Sequence, residues 1–387
     1  MALTRPRVAL LGATGSIGTQ TLDVLREERE RFELVALAGG QRLAELAVIT
    51  KEFNVRSIGV VSERDRDELG HLVGPGVEIV VGAEGLAELA SRADIIVNAV
   101  VGFAGLPVTL SALSSGKRLA LANKESLIAA APLVAKVRAT SGAEILPIDS
   151  EHCAIHQCLE GSREPGHPDV RMIHLTASGG PFRGMTRQQL SHVTKHDALQ
   201  HPTWTMGPKI TVDSSTLMNK GLEVLEASAL FGIEVERVNV VVHPQSIVHS
   251  MVEYVDGAVI AQLSRPDMRL PIAYCLGAPV RLEHGWGQID FSQSLTLEFE
   301  APDREAFGAL DLAYEASRLG GAAPAWLSAA NEVAVEAFLN DQIEWSRIVP
   351  LVADVLDQYE PDPLDTVEAL FANDATARRL AGVRVPR

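Results

Sequence analysis

Excess positive charge, abundant cysteine and a long apolar run are all missing from this 387-residue chain, and each absence narrows what it does. The formal net charge is −16, so neither nucleic acid nor an anionic membrane is expected as its main partner, because both reward a basic face. An anionic metabolite would need a local basic pocket instead. Cys153, Cys158 and Cys275 are the three cysteines, and they form neither a disulfide framework nor a convincing zinc pattern. A reducing cytoplasm is therefore expected. The first residues run directly into the strand-like RVALLG, with neither the apolar segment and cleavage site of a signal peptide nor a Ser/Arg-rich import leader. The longest apolar region, Ile95 to Leu113, is interrupted by Asn98, several glycines and Pro107, which argues against a membrane span. Internal repeats and low-complexity tracts are not visible, and the length predicts two or three domains.

Periodicity divides the chain. Residues 1–148 hold seven β-branched runs, RVALLG, FELVALA, SIGVV, VEIVV, ADIIVNAV, KRLALA and AEILPI, separated by amphipathic stretches. That alternation predicts an α/β domain with a doubly wound, Rossmann-like parallel sheet. Residues 149–281 change to RMIHLTA, VNVVVH, SIVHSMVEY and AVIAQL among loops and helices, which predicts an α+β domain with an open mixed or antiparallel sheet. A connection at 282–302 leads to helical periodicity over 303–387, read as a small bundle.

Three clusters carry chemistry. Gly12-x-x-Gly15-x-x-Gly18 follows the first strand, so Thr14, Gly15, Ser16 and Ile17 would line a pyrophosphate cradle at a helix N-terminus starting near Ser16. The competing reading is a plain tight turn. The second strand ends in Gly39-Gly40-Gln41 followed by Arg42, without the carboxylate that accepts ribose hydroxyls in NAD enzymes, so NADPH is favoured over NADH. If the strand before Asp149 continues to Glu151, these two acids share a face and select a hard cation, Mg²⁺ or Mn²⁺. By that parity His152 faces away, and a solvated strand end or a helix N-cap is the alternative. Glu223 would add a third oxygen ligand if a helix beginning near Ser214 passes the same pocket; otherwise it is an exposed helical acid. Finally, Ser178 lies in the turn Ala177-Ser178-Gly179-Gly180, and His201, Ser214, Asn219 and Lys220 cluster along HPTWTMGPKITVDSSTLMNKGLE as an anion site, although singly Ser178 reads as an ordinary turn residue, Ser214 as an N-cap and Lys220 as a surface lysine. Trp204 and Met206, among prolines and Gly207, suit either a flap closing over a substrate or a buried core position.

These motifs, with GATGSIG, LANKESL, DSEH, ASGGPFRG, HPQSIVHSMVE and SAANEVAVEAF, closely resemble the 1-deoxy-D-xylulose 5-phosphate reductoisomerase family over nearly the whole chain. The resemblance implies NADPH-dependent, divalent-metal-dependent rearrangement and reduction of the sugar phosphate to 2-C-methyl-D-erythritol 4-phosphate, in the non-mevalonate isoprenoid route. It implies that Asp149, Glu151 and Glu223 are the metal ligands and that Lys124, Glu151 and His201 are catalytic. Lys124, Ser150, Glu151, Ser178, His201, Ser214, Asn219, Lys220 and Glu223 would contact substrate. Thr14 to Ile17, Gly39 to Gln41, Asn123, Glu125 and Gly207 would contact NADPH. A homodimer is implied, with the middle domain catalytic and dimerising. Many relatives carry lysine where this chain has Gly40, which leaves Arg42 to meet the 2′-phosphate. His243 and His249 are expected to be structural. The alternatives are an NADPH-dependent sugar-phosphate dehydrogenase that does not rearrange its substrate, and a catalytically silent NADPH-sensing dimer.

Overall fold

The structure, a computed structural model, describes residues 5–162, 166–361 and 364–386. The chain forms two compact units: Met1–Ser126, Val134–Cys153 and Asp267–Trp286 make the first, and Leu127–Leu133, Ala154–Pro266 and Gly287–Arg387 the second.

In the first unit all seven expected runs are strands: β1 (Arg7–Leu11), β2 (Glu33–Ala38), β3 (Ser57–Val60), β4 (Glu78–Val81), β5 (Ile95–Asn98), β6 (Arg118–Leu121) and β7 (Glu144–Pro147). They pair in parallel in the order β4-β3-β2-β1-β5-β6-β7. Parallel strands covered on both faces must be apolar throughout, and Val8, Leu10, Ile58, Val97, Ala120 and Leu146 are fully buried. The chain builds outward from β1 in one direction and then restarts beside it with β5. That reversal opens a crevice at the carboxyl ends of β1 and β5, the usual ligand position in such sheets. Helix Arg269–Gly277 also packs in this unit, with Ile272, Ala273, Cys275 and Leu276 in its core.

The second unit holds a four-stranded sheet of β8 (Val170–Ala177), β9 (Val238–Val242), β10 (Val248–Tyr254) and β11 (Val259–Leu263), in the order β11-β10-β8-β9. β8 and β9 are parallel while the other pairs are antiparallel, so the sheet is mixed. Helices Ala309–Leu319, Ala323–Leu339, Ile348–Leu356 and Val367–Gly382 form the expected helical region. The residues Arg304–Phe307, expected at the start of its first helix, are not helical; the helix begins at Ala309. Among the described residues, no helix is long and apolar enough to cross a membrane. The three cysteines are buried and form no disulfide, and burial pushes the Cys158 thiol up to about 11 and raises that of Cys275.

Candidate active site

The glycine loop has the tightness its sequence predicts. Gly12 has φ +96°, and a Cβ there would lie 2.3 Å from the Ala99 carbonyl oxygen; one at Gly18 would lie 2.2 Å from the Gly12 oxygen. Both contacts are with backbone, so only glycine fits. Helix Ser16–Glu27 starts as expected, with Gly15 as its N-cap, no capping side chain and no acid in its first turn. Its first amides and positive dipole end are thus left to an anion, which fits a pyrophosphate. Thr14 is buried, Ile17 packs on the core and Ser16 is exposed. Gly39 is tight against Leu46, whereas a Cβ at Gly40 would come no closer than 3.7 Å to Val61. Gln41 is exposed, and Arg42 pairs with Glu45 at 3.2 Å.

Asn123 is spent on structure. Its amide donates to the carbonyls of Val100 (2.6 Å) and Gly102 (2.7 Å), while its Oδ1 accepts from the Ser126 N–H, so both side-chain donors hold the loop after β5. Buried Asn98 braces the same loop through the Gly105 carbonyl and Thr109. Neither role has a signal in the sequence, because each depends on where the loop returns. Glu125 is buried in the first turn of helix Lys124–Ala129.

The acidic pair is placed by a helix, contrary to the strand parity expected. β7 ends at Pro147 and helix Ser150–Cys158 follows, with the Cys153 N–H on the Asp149 carbonyl at 2.8 Å. Asp149 is therefore the helix N-cap, its Oδ1 accepting from the Glu151 N–H at 3.2 Å. On a helix start, i and i+2 do not share a face by alternation; here the cap brings carboxylate oxygens of Asp149 and Glu151 within 4.8 Å of each other. His152 does not face away: fully buried, its Nδ1 lies 2.9 Å from Asp149 Oδ1. Lys124 Nζ holds Asp149 Oδ2 at 2.8 Å, and the Ser150 hydroxyl donates to Glu151. Two carboxylates without a thiolate fit a hard divalent cation.

In the second unit, Ser178 and His201 form a defined donor arrangement. His201 Nδ1 accepts from the backbone N–H groups of Thr203 (3.1 Å) and Trp204 (2.9 Å), so in the neutral ring the proton sits on Nε2, which donates to Ser178 Oγ at 3.1 Å. The Gly180 N–H also donates to Ser178 Oγ, at 3.2 Å. An oxygen accepting two hydrogen bonds keeps its own proton for a third group, which suits an anionic ligand. Burial lowers the His201 pKa to about 4. The unfolded chain takes up this proton near pH 6.5, so the group withdraws stability as pH falls from there towards 4. We expect ring NMR of His201 to show no titration at pH 6.5 and a midpoint near 4. A midpoint near 6.5 would contradict the donor assignment.

The segment after Gly207 is two helices, Pro208–Thr216 and Met218–Phe231, not one beginning near Ser214. Gly207 caps the first, and Ser214 lies in its last turn. Leu217 separates them in the left-handed region (φ +61°), a conformation costly for leucine and frequent at functional sites. Asn219 and Lys220 consequently sit in the first turn of the second helix. Glu223 is 1% and Lys220 4% exposed; Lys220 Nζ and Asn219 Nδ2 both donate to the Glu223 carboxylate, so this acid is not on the surface. Trp204 is half-buried with its ring 6.2 Å from that of His249, which excludes a core position. His243 has both nitrogens bonded to backbone, at Glu298 and Ile247, and His249 lies 3.2 Å from the Ser264 carbonyl.

Residues 8–131 match the family profile described as 1-deoxy-D-xylulose 5-phosphate reductoisomerase, 145–231 its C-terminal domain, and 263–380 a further DXP reductoisomerase C-terminal domain. A 1-deoxy-D-xylulose 5-phosphate reductoisomerase of Pelodictyon phaeoclathratiforme is 50% identical over 378 residues, 97% of this chain and 98% of that protein; one of Chlorobium chlorochromatii is 47% identical over 382 residues, 98% and 99%. A crystal structure of the Zymomonas mobilis enzyme with NADPH superimposes with a TM-score of 0.90 at 42% identity, covering 98% of this chain and 99% of that one. Another reductoisomerase, in complex with NADPH, fosmidomycin and magnesium, gives 0.93 at 42% identity with 98% of both chains covered. With full-length similarity at this level, the chain belongs to the 1-deoxy-D-xylulose 5-phosphate reductoisomerase family.

Proposed function

We propose that this protein is an NADPH-dependent oxidoreductase that rearranges and reduces 1-deoxy-D-xylulose 5-phosphate to 2-C-methyl-D-erythritol 4-phosphate, supplying the non-mevalonate route to isoprenoids. The observation that carries this reading is end-to-end similarity to enzymes of that one activity. The relatives' complexes with NADPH and magnesium support the same cofactors here.

Thr14 to Ile17 and Gly39 to Gln41 are assigned to NADPH, which supplies the hydride, and Arg42 to its 2′-phosphate; Asn123, its donors engaged, shapes the wall of that crevice. Glu125 and Gly207 are assigned to the nicotinamide cofactor on family grounds alone. Asp149, Glu151 and Glu223 are assigned to Mg²⁺ or Mn²⁺, which polarises neighbouring ketone and hydroxyl oxygens, an effect worth several kcal/mol in order of magnitude. Lys124 aligns the Asp149 carboxylate and adds positive charge beside those oxygens. Glu151, hydrogen-bonded by Ser150, is the group placed to exchange protons with the substrate hydroxyls. Ser178, His201, Ser214, Asn219 and Lys220 clamp the phosphate and so fix the carbon chain; such positioning can supply roughly 7–11 kcal/mol in favourable cases. Trp204 and Met206 suit a flap that excludes water.

We further assign NADPH binding to residues 1–148, catalysis and dimerisation to 149–281 and a supporting helical domain to 303–387, with cytoplasmic location. A homodimer is supported by β11, an edge strand whose Val259 and Ile260 are 53% and 47% exposed, since apolar edges are normally covered. The test incubates protein with 1-deoxy-D-xylulose 5-phosphate, NADPH and Mg²⁺ or Mn²⁺, omits each in turn, and follows nicotinamide absorbance and product by NMR. A branched carbon skeleton is expected; an unrearranged polyol phosphate would instead favour a simple dehydrogenase.

A further inference from the structure

Helix Pro208–Thr216 is fastened on both sides of Ser214. On one side, Asn331 Nδ2, fully buried in helix Ala323–Leu339, donates to Asp213 Oδ1 at 2.7 Å. On the other, Trp345 Nε1 donates to Ser215 Oγ at 2.8 Å, while that hydroxyl donates onward to the Val212 carbonyl at 2.6 Å. Successive helical side chains are about 100° apart, so Asp213 and Ser215 flank Ser214 symmetrically and together fix the rotation of the helix about its axis. Trp345 also meets Phe182 edge-on, with centroids 5.3 Å apart, and Phe182 belongs to the loop that carries Ser178. The two segments touch directly as well: a Cβ at Gly180 would lie 2.5 Å from the Ser214 carbonyl oxygen. Lys209 Nζ lies 2.9 Å from Asp213 Oδ2, so the Asp213 charge has an ionic partner besides Asn331.

We propose that Asn331 and Trp345 are positioning residues that hold the Ser214 helix and the Ser178 loop in one register, and so tune affinity for the substrate phosphate without touching it. The inference rests on the reading of Ser214 as a phosphate donor. Asn331 and Trp345 lie 117 and 131 positions downstream of that serine, outside every cluster singled out as a ligand site. What they supply is geometric: the fully buried Asn331 amide holds Asp213, and the single N–H of the Trp345 indole is committed to Ser215.

The test uses Asn331→Leu, which keeps the branched heavy-atom skeleton but cannot donate, and Trp345→Phe, which keeps an aromatic ring and removes the N–H. For each, KM for 1-deoxy-D-xylulose 5-phosphate, the inhibition constant of inorganic phosphate and KM for NADPH are measured, alone and in a Ser214→Ala background. The first two constants should rise together, about tenfold or more, with NADPH unaffected. In the Ser214→Ala background the same changes should add less than about twofold, because the serine they aim is gone. A full additional loss in that background would overturn the proposal, as would unchanged phosphate inhibition alongside weakened NADPH binding. Ser214→Ala that by itself leaves phosphate inhibition unmoved would instead remove the phosphate reading beneath it. Should Asn331→Leu not fold, the Trp345→Phe result decides.

Discussion

Glu223→Gln is expected to lower metal-dependent NADPH oxidation by about a thousandfold or more, while NADPH itself still binds. Glutamine keeps the shape and the hydrogen-bonding reach towards Asn219 but removes the negative charge that a hard cation requires. The side chain is 1% exposed, so water cannot substitute for the lost charge. Turnover with saturating Mg²⁺ or Mn²⁺, set beside NADPH affinity from fluorescence titration, separates the two effects. A variant with normal turnover would take Glu223 out of the ligand set.

Lys220→Ala should weaken substrate affinity by about a hundredfold, again sparing NADPH, because it deletes a desolvated ammonium assigned to the phosphate. It also removes a charge partner of Glu223, and breaking such a buried pair costs about 3–5 kcal/mol of stability. Adding Glu223→Gln to Lys220→Ala should therefore recover much of the melting temperature and none of the affinity. If calorimetric titration with substrate gave the native affinity for Lys220→Ala, the phosphate role of this lysine would be wrong.

The elements of both sheets are legible in the chain, because most strands are short runs rich in Val, Ile, Leu and Ala. What governs their assembly is less visible. Helix Arg269–Gly277 packs with the first sheet although more than a hundred residues separate it from β7, and nothing local in RLPIAYCLG announces that destination. DSEH was legible as an acidic site, with a helix N-cap only as the alternative reading. Pro147 and Ile148 extend the apolar run, and the N-cap carries its signal in Asp149, the same residue read as a ligand. The break at Leu217 is hidden for a related reason: a left-handed residue is normally announced by glycine or asparagine, and here it is leucine. The proposed anion cluster could be grouped from the sequence because Ser214, Asn219 and Lys220 are close along it. The side chains that brace it, Asn331 and Trp345, come from a distant helix and a distant turn.

The contacts made by Gly12 and Gly18 have a consequence for the kinetics of cofactor capture. A turn whose backbone atoms leave no room even for a methyl group has few alternative shapes of similar energy, so its amides are already oriented before any nucleotide arrives. Little ordering entropy then opposes the encounter at this end of the dinucleotide, and association should follow a single fast phase rather than wait on a loop rearrangement.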